Sequence, residues 1–275
     1  MLERNDLMRQ RQAKADRLAA AHGTAWPNDF RPSHTGVEMI ESLAEHLEPV
    51  SADRGPGPAV RVAGRLIGFN RKGKVAFLRL RDRSAGDVIA SRRRSDDARA
   101  EAGMERRDSD ASTFQVFFSR NEAPEVFDSL CKSQTVDGEE LPPLIDVGDI
   151  VGAVGRPFRT RTGEPSLWAC TTDADGEPLA GETRDSPCLR ILAKAVRPLP
   201  DKWHGLTDKE TRFRQRYVDL AVNDDVREVF VRRARLVAGL RRFFDGRGYL
   251  EVETPMMHPL VGGAAARPFT THHNA

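Results

Sequence analysis

Between Val60 and Arg83 the chain carries eight basic side chains (Arg61, Arg65, Arg71, Lys72, Lys74, Arg79, Arg81 and Arg83) against one acid, Asp82, with Phe69 and Phe77 set among them. Positive charge attracts phosphates, and an aromatic ring offers a flat face to an unstacked base. Together these are what single-stranded nucleic acid requires. The same spacing also fits a strand whose Phe77 turns into a core while the arginines form a solubility face, and the pattern leaves both open. Arginine supplies 36 of the 43 basic residues, which suits bidentate phosphate contacts and stacking, although a GC-rich coding bias gives the same excess.

Other chemistries lack their residues. There is no G-x-x-x-x-G-K-[ST], HExxH, GxSxG or dinucleotide fingerprint, so P-loop, zincin, serine hydrolase and Rossmann enzymes drop out. His272 and His273 are neighbours on an extended segment, where successive side chains point opposite ways, so joint metal ligation is not expected. Cys131, Cys170 and Cys188 form neither a CxxC pair nor an even-numbered framework and read as ordinary thiols. With 275 residues, 31% of them charged, a net charge of +2 and a mean hydropathy of −0.53, the chain reads as one large or two ordinary soluble domains. No apolar run approaches the ~20 residues of a membrane span, and the charged N-terminus lacks a signal-like apolar stretch, which points to the cytoplasm.

These residues need a scaffold, and hydropathy alternation supplies one. The runs VRVAGRLIGF and KVAFLRLRD, around Asn70-Arg71-Lys72-Gly73, predict two antiparallel strands and a hairpin. Further strand-like runs lie at Thr113 to Ser119, at Asp149 to Thr160, in EPSLWAC and in LRILAKAV, and EVFDSLC reads as a helix. Three strands, a helix and two strands is the order of an OB-fold barrel. Ala85 to Ser112, which holds Arg92-Arg93-Arg94 among acids, and Thr171 to Pro187 contain too few apolar residues to pack, so both are expected as surface loops or disordered insertions.

Flanking segments read as helical. Glu3 to His22 is a polar pattern stopped by Gly23 and expected to lie at the periphery. Val37, Ile40, Leu43, Ala44 and Leu47 have the spacing of one helix face, and Asp53 to Pro58 breaks it as a linker. Beyond Asp208, Val226, Phe230, Val237, Leu240 and Phe244 mark the apolar face of a long helix, with Asp224 as N-cap and Gly246 or Gly248 as stop. An extended segment closed by Pro255 follows. That face needs more cover than the remaining residues offer, so a truncated second domain is expected. The resulting layout is residues 1–58 as helices and linker, 59–198 as the barrel with insertions at 85–112 and 171–187, and 199–275 as the start of a second domain.

Three blocks, LPDKWHGLTDKETRFRQRYVDL, RGYLEVETPMM and GGAAARPFTTHHNA, resemble class II lysyl-tRNA synthetases in the same order. WPNDFR, VAGRLIG, GKVAFLRLRD and FRTRTGE are similar to that family's anticodon-binding OB domain. The resemblance implies an OB-fold barrel followed by the incomplete start of an antiparallel α/β catalytic domain. It also implies that Phe77 stacks on an anticodon base while Gln115 and Glu164 read base edges. Pro255 is implied in a homodimer interface, and Gly262, Gly263 and Ala264 in the lysine-binding loop. The GGAAARPF block sets the chain apart from aspartate and asparagine enzymes of the subclass, and the OB domain sets it apart from related enzymes that modify a translation factor.

In that family lysine reacts with ATP, with magnesium bound, to give lysyl-adenylate and pyrophosphate, and lysine tRNA then takes the activated lysine. The arginines of the second and third signature motifs that hold ATP, and the acids that hold magnesium, would lie past Ala275. No catalytic residue and no metal ligand is therefore expected in these residues, and the 275-residue chain is expected to bind tRNA without activating lysine. A freestanding single-stranded RNA-binding OB-fold protein without catalysis is the alternative.

Overall fold

The computed structural model describes residues 2–43, 58–84, 113–136, 139–160, 164–173, 176–183, 186–200, 206–254 and 272. Ala44, Leu47, most of the 53–58 linker, the 85–112 insertion, Pro255 and Gly262 to Ala264 lie outside these residues. The chain divides into two compact units, Met1–Gly205 and Leu206–Ala275.

The first unit is a mixed α/β structure. Its elements are α1 (Leu2–His22), α2 (Gly36–Glu41), β1 (Val60–Lys72), β2 (Val75–Arg81), β3 (Phe114–Ser119), α3 (Pro124–Cys131), β4 (Gln134–Val136), β5 (Glu139–Leu141), β6 (Ile150–Arg159), β7 (Pro165–Ala169) and β8 (Leu189–Ala193). Six strands make one sheet in the order β1-β2-β3-β7-β6-β8, and β1 also pairs with β6, so β1, β2, β3, β7 and β6 form a closed cycle of pairings. All of these ladders are antiparallel except β3 with β7. The short β4 and β5 pair with each other.

Local chemistry explains how the cycle closes. β1 serves two partners: Val60 to Arg65 pair with β6, and Arg65 to Lys72 with β2. An extra residue, Ile67, sits at a register shift between Leu66 and Gly68, and such a bulge bends and twists a strand. The β1–β2 turn is tighter than the expected four residues, because the strands run on to Lys72 and Val75 and leave Gly73, at φ 60°, and Lys74 between them. Where β6 passes from β1 to β7, a Cβ on Gly155 would lie 1.9 Å from the Trp168 carbonyl oxygen, so only glycine fits.

Alternating residues fill the interior: Val62 and Leu66 of β1, Ala76, Leu78 and Leu80 of β2, Phe114, Val116 and Phe118 of β3, and Leu167 of β7 are buried, with Phe127 of α3 packed on Phe118 at 5.3 Å between ring centroids. Two expectations change. α1 is not peripheral, because Ala15 and Leu18 join this core and Arg11 and Lys14 are buried. The 171–187 stretch packs in part: Leu179 donates its amide to the Thr171 carbonyl (2.8 Å) and is buried with Val154 and Cys170. One well-placed leucine is enough to anchor it.

A buried ion network ties α1 to the sheet. Lys194, with a fully buried side chain, donates to Asp149 Oδ2 (2.8 Å), to Asp146 and to the Leu144 carbonyl, while Lys14 of α1 reaches Asp146 Oδ1 at 2.7 Å. Asp149 also accepts the amides of Ala195 and Asp146, each at 2.8 Å. Burial pushes the Asp149 carboxyl up. Burial acts the same way on Asp146, but hydrogen bonds from Lys14 and Lys194 hold it below the ordinary carboxylate range.

The second unit has three helices among its described residues, α4 (Lys209–Arg214), α5 (Arg216–Val222) and α6 (Asp224–Asp245), and the described residues after Gly248 are non-helical. α6 starts at Asp224 with Asn223, not Asp224, in the N-cap position, and Gly246 follows its last turn. Asn223 makes no capping bond because its side chain is committed to the Asp219 carboxylate (2.7 Å) and the Leu206 carbonyl (3.2 Å).

Candidate nucleic-acid interface

The alternation that fills the interior forces the intervening residues outward. Phe77 and Arg79 of β2, Gln115 and Phe117 of β3, and Ser166 and Trp168 of β7 share the opposite face. Register then aligns them across strands. Phe77 pairs with Phe117 and Phe117 with Trp168, while Arg79 pairs with Gln115, Gln115 with Ser166, and Ser166 with Phe158 of β6. Side chains directly opposite in a ladder are close enough to touch. The result is an aromatic cluster in which Phe117 lies 5.4 Å from Phe77, 5.9 Å from Phe158 and 4.8 Å from Trp168, centroid to centroid. Beside it runs a polar row.

The three expected readers of this region fall on that one face. Phe77 is half-buried on the outer side, between the buried Ala76 and Leu78, so the core-facing alternative is corrected. Gln115 is buried to 8% exposure, and its Oε1 accepts the Ser166 hydroxyl at 2.8 Å. Glu164 stands just before β7, with the Arg79 guanidinium 3.7 Å from its carboxylate. Its amide donates to Thr160 Oγ1 (3.0 Å) and its carbonyl accepts the Thr160 amide (3.0 Å), which ties the Glu164 backbone to the end of β6. The geometry offers a partly open ring, an amide and a carboxylate. It can stack a base and both donate to and accept from its edge.

Sequence reasoning missed Phe117, Phe158, Trp168 and Ser166. The parity of TFQVFF held a signal, since Gln115 and Phe117 share a side once Phe114, Val116 and Phe118 are placed inward. Their meeting with Trp168 depends on the parallel β3–β7 pairing, which carries no local signature. The basic stripe is also less uniform than its composition implies. Arg61 pairs with Glu182 and lies over the Phe30 ring at 5.7 Å, and Arg65 donates to the Gly148 carbonyl at 2.8 Å, so both have structural partners. Burial lowers the Arg65 guanidinium from its usual value, and Asp149 opposes that. Arg71, Lys72 and Lys74 are exposed at the hairpin tip. Pro255, Gly262, Gly263 and Ala264 lie outside the described residues. No group of three or more His, Cys, Asp or Glu among the described residues could hold a metal ion.

Residues 208–275 match the family described as tRNA synthetases class II (D, K and N). Over its length the chain is 40% identical to the lysine–tRNA ligase of Anaeromyxobacter sp. (strain K), across 273 residues that make up 98% of this chain and 42% of that relative. The chain is a relative of the lysine–tRNA ligases. It is likewise 35% identical to the lysine–tRNA ligase of Carboxydothermus hydrogenoformans, covering 99% of this chain and 43% of that protein. To the lysine–tRNA ligase of Cronobacter sakazakii it is 38% identical, covering 98% and 43%. The chain thus spans about two fifths of the length of these lysine–tRNA ligases. Among the described residues no helix is long and apolar enough to cross a membrane.

Proposed function

We propose that these 275 residues serve a lysine–tRNA ligase of the cytoplasm by binding the anticodon of lysine tRNA on an OB-fold barrel formed by β1, β2, β3, β6 and β7. What carries this reading is that strand register sets Phe77, Arg79 and Gln115 on one outer face, with the Glu164 carboxylate 3.7 Å from the Arg79 guanidinium. Phe77 stacks on an unpaired base at little entropic cost, Gln115 and Glu164 read base edges, and the exposed Arg71, Lys72 and Lys74 supply phosphate contacts.

In the same reading, residues from Leu206 begin a class II catalytic domain, with Pro255 in the interface of a homodimer and Gly262, Gly263 and Ala264 as one wall of a lysine pocket. The complete enzyme joins lysine to ATP, with magnesium, and passes the activated lysine to the tRNA, a reaction driven by positioning and charge stabilisation. ATP and magnesium are assigned to none of the described residues.

The test is binding of the chain to lysine tRNA and to the same tRNA with a changed anticodon, at fixed salt because phosphate contacts depend on it. The matched anticodon is expected to bind at least ~1 kcal/mol more tightly, and Phe77→Ala to remove that margin. Equal binding of both tRNAs sinks the reading. The chain alone is expected to show no lysine-dependent ATP–pyrophosphate exchange.

A further inference from the structure

Residues directly opposite on neighbouring strands favour opposite charges, and like charges there cost stability. The first unit breaks this rule on its outer face. Arg65 of β1 is the register partner of Arg81 of β2, so facing positions carry two guanidinium groups. Two residues earlier on the same face, Arg79 has the Glu164 carboxylate at 3.7 Å instead. Arg65 and Arg81 line a pocket of about 490 Å³ together with His34, Asp82 and Arg83. Asp82 is the one acid among the described residues lining it, and its carboxylate is already engaged. Its Oδ2 accepts the Gly36 amide (2.7 Å), and its Oδ1 accepts the amide (2.9 Å) and hydroxyl (2.6 Å) of Ser84. Three guanidinium groups thus gather around one committed carboxylate, and a concave surface with that excess draws in an anion. Arg65 is set in place by its donation to the Gly148 carbonyl at 2.8 Å, and the fork of a guanidinium matches the oxygens of a phosphate.

Alternation along β2 puts Phe77, Arg79 and Arg81 on one face, and four residues of extended strand set Phe77 and Arg81 roughly 13 Å apart. A short run of single-stranded nucleotides spans such a distance. We propose that the pocket lined by Arg65, Arg81 and Arg83 is a phosphate-binding site for the backbone of the RNA strand whose base stacks on Phe77. This rests on the reading of the outer face as a base-binding site. The phosphate supplies the negative charge that the facing arginines lack between them. Arg71, Lys72 and Lys74 stand at the other end of β2, so phosphate contacts at both ends fix the direction in which the strand crosses the face.

The experiment measures binding of the full chain to the anticodon stem-loop of lysine tRNA, in copies where one phosphate at a time is made neutral as a methylphosphonate, with the thermal midpoint of each variant recorded. Wild type is expected to lose roughly ten-fold in affinity at one or two phosphates. Arg81→Gln is expected to lose roughly ten-fold on the unmodified loop, whatever its anticodon, and nothing further at those phosphates. Its salt dependence becomes shallower by about one phosphate contact, and its thermal midpoint holds or rises because the charge facing Arg65 is gone. Arg83→Gln, at an exposed position, repeats the affinity and salt effects in smaller measure and keeps the test open if the Arg81 variant fails to fold. If the neutral phosphates cost the variants as much as they cost wild type, the pocket holds no phosphate and the proposal falls. Loss of anticodon discrimination in Phe77→Ala would then still support the base-reading face. A lower midpoint with unchanged binding makes Arg81 a structural residue and also overturns the proposal. Inorganic pyrophosphate that binds wild type but not Arg81→Gln, without displacing the stem-loop, assigns the pocket to a free phosphate compound and overturns the RNA assignment. No binding of the stem-loop by wild type overturns both readings.

Discussion

The two units of this chain stabilise themselves by opposite means. In the first, strands distant in sequence close a cycle of pairings around side chains such as Leu66, Leu78 and Phe118, each with no exposed surface. In the second, Asp219 is the one buried residue among those described, while Leu236, Leu240 and Val229 of α6 stand 65%, 52% and 63% exposed. Asp219 accepts from Arg212 Nε (3.0 Å), from Arg216 and from Asn223 (2.7 Å), which pulls α4, α5 and the start of α6 together. Burial works against its charge, but the hydrogen bonds from Asn223 and Arg212 hold its carboxyl below the ordinary range. An amphipathic pattern therefore suffices to make a helix. It does not supply the partner that would dry the helix face.

The largest way to sharpen this contrast is to break the ion network of the first unit. Lys194→Ala leaves Asp149 as a buried carboxyl without its ion-pair partner and Asp146 with Lys14 alone, and unfolding by denaturant is expected to report a loss of ~3–5 kcal/mol. A loss under about 1 kcal/mol would mean that the buried Lys194–Asp149 pair adds little to the stability of this unit.

Next, Phe77→Ala separates the outer face from the interior of the same unit. RNA binding is expected to weaken by ~1–3 kcal/mol, with a change in thermal midpoint far smaller than that of Leu78→Ala, one residue along the strand. If the two variants destabilise alike, Phe77 belongs to the core and the face is misread.

Acid gives a smaller, graded effect. Asp128, gripped by Arg120 and Lys132, and Asp146 both have carboxyls held below the ordinary value of 3.8, so the stability they add is complete above that value. It is lost as pH falls below that value and through their lowered folded-state values. Asp149, pushed up by burial, works the other way. Thermal midpoints measured from pH 7 downward should fall, and Asp128→Asn should flatten part of that slope. An unchanged slope in Asp128→Asn would remove the Arg120 clamp from the account.

The smallest effect is expected in the second unit. Leu240→Glu on the open face of α6 should alter thermal stability by no more than about 0.5 kcal/mol. A much larger loss would break the comparison, because it would show that the face is covered in solution.

Much of this is legible in the order of the amino acids alone. The parity of KVAFLRLRD places Phe77 and Arg79 on one side, and the blocks at Leu199 to Leu220, Arg247 to Met257 and Gly262 to Ala275 point to the synthetase resemblance. Other features are not legible there. Lys14 looks like one more charge on a polar helix, yet it is buried against Asp146, 132 positions away. Leu179 looks stranded among acids and glycines, yet it packs on Val154 and Cys170. In both cases the deciding neighbour is remote, and composition within a window carries no record of it.

By itself, the sequence determined the strand alternation, the helical faces and the residue types available for stacking and hydrogen bonding, because these follow from local geometry with periods of two and 3.6 residues. Only the tertiary structure decided that Gln115, Ser166 and Glu164 meet, and that Phe77, Phe117, Phe158 and Trp168 cluster on the same face. Their meeting requires β3 to pair in parallel with β7, across 51 positions between Gln115 and Ser166. Register between distant strands is set by how the whole cycle of pairings closes around its core, and no single segment encodes it.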